Sequence, residues 1–279
     1  MKVRIVHSTQ YQFGSDVFLE PHYLRFKPKN TSYNALSSFS LEVTPRPAGF
    51  TDNYDEEGNH VNFCWFENTT NIFKIDSFSE IEIGDYNPFD FLIYPAHYQE
   101  LPFEYAVHKK ELLNPSLAVA QMDTSLRAYA SEVLKGVNNS LQFVINLTHK
   151  IHSDFDVIHR MEGPPHEPNE TFRLKKGSCR DLAWMQINLL RNEGIAAKFV
   201  SGYYFFPTET PVFELHAWLE VFFPGAGWVG FDPSHGIATG SSHIPVASSA
   251  YPAYTLPVSG SFRGDSSSHL KTDVHIEML

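Results

Sequence analysis

The chain has 279 residues, 42% of them hydrophobic and 14% aromatic, with a formal net charge of -11. That acidic balance argues against nucleic acid and against anionic membrane surfaces, which are bound through basic faces. The two cysteines, Cys64 and Cys179, exclude a disulfide framework. No run of about 18 apolar residues suggests a membrane span, and residues 1–8 lack the apolar stretch of a signal peptide. The expectation is a soluble protein of the reducing cytoplasm, which would keep a reactive thiol reduced.

In chain order, residues 1–84 read as an antiparallel, sandwich-like β domain. Segments near 2–13, 38–46, 59–66 and 72–83 are rich in Val, Ile, Phe, Tyr and Thr, and residues 77–83 alternate with period two. Turns are signalled by Pro45-Arg46-Pro47-Ala48-Gly49 and by Asp55-Glu56-Glu57-Gly58-Asn59. The acidic run from Asp52 to Glu57 lacks the Asp-x-Asp-x-Asp-Gly spacing and distal Glu of a calcium loop, so it reads as a solvated turn.

Residues 85–120 hold Pro88, Pro95, Pro102 and Pro115 and read as a connector with short helical turns, packed down by its aromatic residues. Residues 121–279 form a second domain with a C-terminal tail. A helix is expected over 125–134. A second carries the stripe Leu141, Val144, Ile145, Thr148 and Ile151, and a third runs from Cys179 to Glu193 with Gly194 as its cap. Strands are expected near 196–206, 213–223 and 227–232. The tail from 234 is rich in Ser, Gly, Pro and His, with an alternating edge strand at 271–276. The predicted class is α+β.

Chemistry concentrates in three segments. Cys179 follows Gly177-Ser178 and opens an apolar-striped helix, where unpaired N–H groups favour an anion. His216 lies on an alternating strand, on one face with Trp218 and Glu220, while Ala217, Leu219, Val221 and Phe223 take the other. Asp232 ends the next strand. A thiol, an imidazole and a carboxylate are the parts needed for nucleophilic attack on an amide or thioester carbonyl.

Singly, each has a plainer reading. A cysteine in an apolar helix is usually a small hydrophobe, a strand histidine a satisfied core residue, and Asp-Pro a turn. Together they make a demanding geometry. His216 and Asp232 must share a face, and a four-residue turn at 224–227 would break that parity. An odd turn or a β-bulge between Phe222 and Trp228 is therefore predicted.

These segments, Gly177-Ser178-Cys179-Arg180-Asp181-Leu182-Ala183, Leu190 through Tyr203, His216-Ala217-Trp218, Gly227-Trp228 and Asp232-Pro233, resemble the bacterial transglutaminase-like superfamily of papain-type cysteine enzymes. Pro21 to Phe26, Val43-Thr44-Pro45 and the 55–59 turn resemble the β domain that precedes this core in bacterial proteins. The resemblance implies a helix bearing Cys179 packed on an antiparallel sheet, with Cys179 as nucleophile, His216 as base and Asp232 as orienter. Ser234 stands where relatives often carry threonine. The implied activity is that of a cysteine peptidase or amidase acting on a protein or peptide through a thioester. Transglutaminase-type acyl transfer to an amine, and a non-catalytic peptide-binding protein with a vestigial triad, are the alternatives.

The Cys179 backbone N–H is the expected oxyanion donor. Ser178, Arg180, Trp218 and Tyr203 are placed in the substrate and oxyanion vicinity, although Tyr203 and Tyr204 alternate and only one can face a cleft. Cys64, among Phe63, Trp65 and Phe66, reads as inert core. The fourteen histidines look scattered, without an H-E-x-x-H pair, so neither a metal nor a cofactor is expected.

Overall fold

The computed structural model describes residues 1–160, 163–206 and 212–279. Its first half is built from β1 (Lys2–Leu19), β2 (His22–Leu24), β3 (Asn34–Thr44), β4 (Gly49–Tyr54), β5 (His60–Trp65) and β6 (Thr69–Ile83). β1, β6 and β3 form one antiparallel sheet and β2, β5 and β4 another. Alternation along these strands sends Leu19, Cys64, Phe73 and Ile75 into the layer between the sheets, where Phe26 from the loop after β2 joins them and all are almost wholly buried.

Helices follow as α1 (Val107–Leu117), α2 (Thr124–Leu134) and α3 (Ser140–Asp154). α1 falls inside the expected connector, which holds more helix than its four prolines suggest. The short β7 (Asp156–Val157), α4 (Pro168–Leu174) and β8 (Lys176–Gly177) lead to α5 (Cys179–Asn192). Gly194 follows α5 at φ 78°, the left-handed conformation that ends a helix. The second half's sheet contains β9 (Ala197–Phe206), β10 (Val212–Phe223), β11 (Gly227–Asp232), β12 (Ile237–Ala238) and β13 (His243–Ser249), in the order β12-β11-β10-β9-β13. Leu182, Met185 and Leu189 of α5 are fully buried in one core with Leu219, Val221 and Phe223 of β10. Truncating such a leucine to alanine costs about 2–5 kcal/mol.

The end of the chain crosses back. β14 (Val258–Ser259) pairs with β2, and β15 (Phe262–Arg263) pairs with β1. β16 (Ser268–Met278) runs antiparallel to β1 from Val3↔Met278 to Phe13↔Ser268. The alternating edge strand expected in the tail is thus laid on the first sheet, not on the sheet of the second half. Between the halves, Val3, Ile5, Ile81 and Ile83 meet Tyr203, Phe205, Ile244 and Val246.

Candidate active site

The helix start is fixed by one buried carboxylate. Asp181 Oδ2 accepts from the Ser178 N–H at 2.8 Å and from Ser178 Oγ at 2.7 Å, while Oδ1 accepts from Arg160 at 2.6 Å and the His166 N–H at 2.7 Å. Burial works against its charge, but these donors overcome it and hold Asp181 below the usual carboxylate range. Gly177 fits here because a Cβ would lie 2.8 Å from the Asp181 Cβ. Arg180 donates to the Gly163 carbonyl at 2.9 Å and also to the Arg160 carbonyl. Ser178 and Arg180 therefore tie the loop before α4 to the first turn of α5, beside Cys179.

The β10–β11 turn has the parity that the site requires. Phe223 pairs with Gly227 and Leu219 with Phe231, leaving the three residues Pro224–Ala226 between the strands. Gly225 lies at φ 92°, and its missing Cβ admits the Leu92 carbonyl. Along this register Asp232 falls on the same face as His216, and His216 Nε2 lies 2.8 Å from Asp232 Oδ2. Cys179, half-buried at the helix start, acts on the same imidazole by charge and hydrogen bond. Burial opposes a charged His216. The charges and hydrogen bonds of Asp232 and Cys179 outweigh it and push the imidazole well above its ordinary value. Asp232, also buried, is held well below its ordinary value by the His216 charge and by imidazole donors.

Two further histidines converge on the same oxygen. His235 Nδ1 lies 2.7 Å and His243 Nε2 3.1 Å from Asp232 Oδ2. Oδ1 accepts from the Ser234 N–H at 2.9 Å and from Ser234 Oγ at 2.6 Å. The serine that stands in for threonine thus keeps its hydroxyl on the carboxylate. Ligand atoms of His216, Asp232 and His243 lie within 4.8 Å of one another, as a metal site would need. His243 Nδ1 faces the Gly240 N–H at 3.4 Å, so the tautomer with its proton on Nε2 serves both contacts, accepting from Gly240 and donating to Asp232.

Tyr203 needs correction. It is 1% exposed and faces the seam between the halves, where its hydroxyl meets His7 Nδ1 at 3.0 Å. Tyr204 takes the place beside the cluster, its ring centred 4.4 Å from His235 and 5.2 Å from His216. Trp218 lies next to His216, with ring centroids 6.2 Å apart, but is buried beneath it and does not wall an open cleft. Gly202 is paired with His216 across β9 and β10. A Cβ there would lie 2.2 Å from the Ile244 carbonyl oxygen and 2.7 Å from Trp218. Sequence reasoning missed Gly202, His235 and His243, and the only signal for the two histidines was their number in the tail.

Residues 127–233 match the model of the transglutaminase-like superfamily, and residues 3–82 match the bacterial transglutaminase-like N-terminal region. The chain carries a transglutaminase-like core behind a bacterial transglutaminase-like N-terminal region. An uncharacterised protein of Mycobacterium tuberculosis is 25% identical over 254 residues, covering 84% of this chain and 79% of the relative. One from Mycobacterium leprae is 22% identical over 284 residues, covering 100% of this chain and 99% of its own length. Among solved structures, a candidate cysteine protease from Cytophaga hutchinsonii superposes with a TM-score of 0.70. Its identity is 22%, and the match covers 99% of this chain and 90% of that one. The fold is therefore shared with that protein along nearly the whole chain.

Proposed function

We infer that this protein is a cysteine peptidase or amidase, with Cys179 as nucleophile, His216 as acid and base, and Asp232 as the group that orients His216. The observation that carries this reading is one buried imidazole placed between a buried carboxylate and a thiol at a helix start. The Cys179 thiolate attacks the carbonyl carbon of a protein or peptide amide. The C–N bond breaks, His216 gives its proton to the departing amine, and a thioester remains. Water then adds to the thioester as His216 takes its proton, and the thiolate leaves behind a carboxylic acid. Nε2 is committed to Asp232, so Nδ1 serves the thiol. The Cys179 backbone N–H, at the start of α5, is the oxyanion donor of this mechanism. The described fold of the Cytophaga hutchinsonii protein agrees with this reading.

Iodoacetamide labelling of the native protein tests it, with Cys64 as the internal reference. Cys179 is expected to label rapidly at neutral pH and to slow about tenfold or more in His216→Ala, because only a few per cent of an ordinary thiol is ionised there. Equal labelling of the two cysteines, unchanged by the substitution, would return the protein to the peptide-binding class. Incubation with dimethylcasein and a fluorescent primary amine separates hydrolysis from acyl transfer. New carboxyl groups without amine incorporation are the expected result.

A further inference from the structure

The core family match ends at residue 233, and beyond it two imidazoles reach Asp232. His235 is about one-third exposed at its side chain, whereas His243 is fully buried. His243 is fixed at three points. Its Nδ1 accepts from the Gly240 N–H, its Nε2 faces Asp232 Oδ2, and its carbonyl accepts from the Tyr33 hydroxyl at 3.0 Å.

The rest of β13 is gripped by the first domain as well. The Lys29 N–H donates to the Pro245 carbonyl and Lys29 Nζ to Ser248 Oγ, both at 2.8 Å. Asn59 exchanges two hydrogen bonds with the Ser248 backbone at 2.8 and 3.0 Å, and the Glu57 carboxylate accepts from the Ala250 N–H at 3.1 Å. The 55–59 turn, which reads in sequence as a solvated loop, is a clamp on this strand.

We propose that His243 is a positioning residue for the His216–Asp232 pair, held in place by the N-terminal domain through β13. This rests on the reading of Cys179, His216 and Asp232 as the reacting groups. A carboxylate with one donor can swing about its terminal torsion. Here Nε2–H of His243, Nδ1 of His235 and Nε2 of His216 meet at Oδ2, and Ser234 holds Oδ1, so the carboxylate plane is set from several sides. The groups facing His243 are Asp232 from β11, His216 and the Trp218 ring from β10, Tyr204 from β9 and His235 after β11. Burial and the two neighbouring imidazoles keep His243 neutral against the pull of Asp232, which leaves it a donor with no competing charge.

The pH profile of iodoacetamide labelling at Cys179 in the full chain tests the proposal. His243→Phe removes the one buried donor that β13 supplies and leaves His235 and Ser234 on the carboxylate. Labelling at neutral pH should fall about tenfold, the scale of one hydrogen bond to a charged group. Its acid edge should move to higher pH, because Asp232 then protonates more readily. His243→Gln puts an amide N–H near the Nε2 position and should stay within about threefold of wild type, and Tyr33→Phe should cost about twofold. A His243→Phe profile identical to wild type, while His216→Ala still abolishes fast labelling, overturns the positioning role and leaves the active-site reading standing. Loss of the His216 effect as well overturns both. Should His243→Phe fail to fold, ¹⁵N-histidine NMR of the unaltered protein decides. The Nε2–H tautomer should persist through mildly acid pH, and an Nδ1–H tautomer would refute the proposal.

Discussion

His7 and His216 are both buried imidazoles, one at the seam between the two halves and the other beside Cys179. The partners of His7 are neutral: the Tyr203 hydroxyl at 3.0 Å and Thr9 Oγ1 at 2.9 Å. Burial carries it down to about 3, and the more distant Asp76 charge does not reverse that. His216 suffers the same burial but has a carboxylate at 2.8 Å and a thiol beside it, and it moves the other way. Depth alone therefore does not decide the protonation of a buried histidine. A charge within hydrogen-bond distance does, and it separates a pin between domains from a group that can store a proton.

The largest test of that contrast is Asp232→Asn. Without the charge, His216 should behave like His7, and turnover of casein should fall on the order of 10³–10⁴-fold. Cys179 labelling should drop to the rate of an ordinary thiol. Turnover that survives would mean that His216 does not depend on the carboxylate.

A smaller effect is expected at His7, and its sign is opposite to that of His216. The folded state holds His7 below its ordinary 6.5, so the stability it contributes is present above pH 6.5 and is lost as pH falls toward 3. The contribution of His216 is full below pH 6.5 and fades as pH rises through its raised value. His7→Gln removes the first titration. Urea unfolding should lose much of its acid slope between pH 6.5 and 3. Cys179 labelling at neutral pH should not change.

The smallest effect belongs to the other cysteine. Burial pushes the Cys64 thiol up to about 12, and it sits in the sandwich core. Cys64→Ala should cost about 1 kcal/mol in thermal or urea unfolding and leave labelling of Cys179 intact. A loss of activity there would tie the sandwich core to the site.

Much of this arrangement was legible in the sequence, because each part carries a local signal. Cys179 opens a striped helix, His216 interrupts an apolar alternation, and the parity of the 224–226 turn follows from the requirement that His216 and Asp232 share a face. What was illegible depends on partners far along the chain. β13 is buried on both faces, one against its own sheet and one against the first domain, so His243-Ile244-Pro245-Val246-Ala247-Ser248-Ser249 shows no alternation and its composition reads as loop. α1 mixes His108, Lys109, Lys110 and Glu111 with Pro115 and buries only Leu113 and Ser116, so it offers little stripe to find. Tyr203 and Tyr204 alternate correctly, but which of them faces His216 depends on where the first domain docks.

The pairing of β16 with β1 also orders events in time. Residues 3–13 leave the ribosome long before their edge partners, residues 268–278. A pairing between segments so distant in sequence closes slowly, because loop entropy must be overcome before any hydrogen bond rewards it. Co-translationally, α5 and β9–β13 can therefore assemble while the edge of β1 still waits, and of the two halves the one synthesised earlier is completed later.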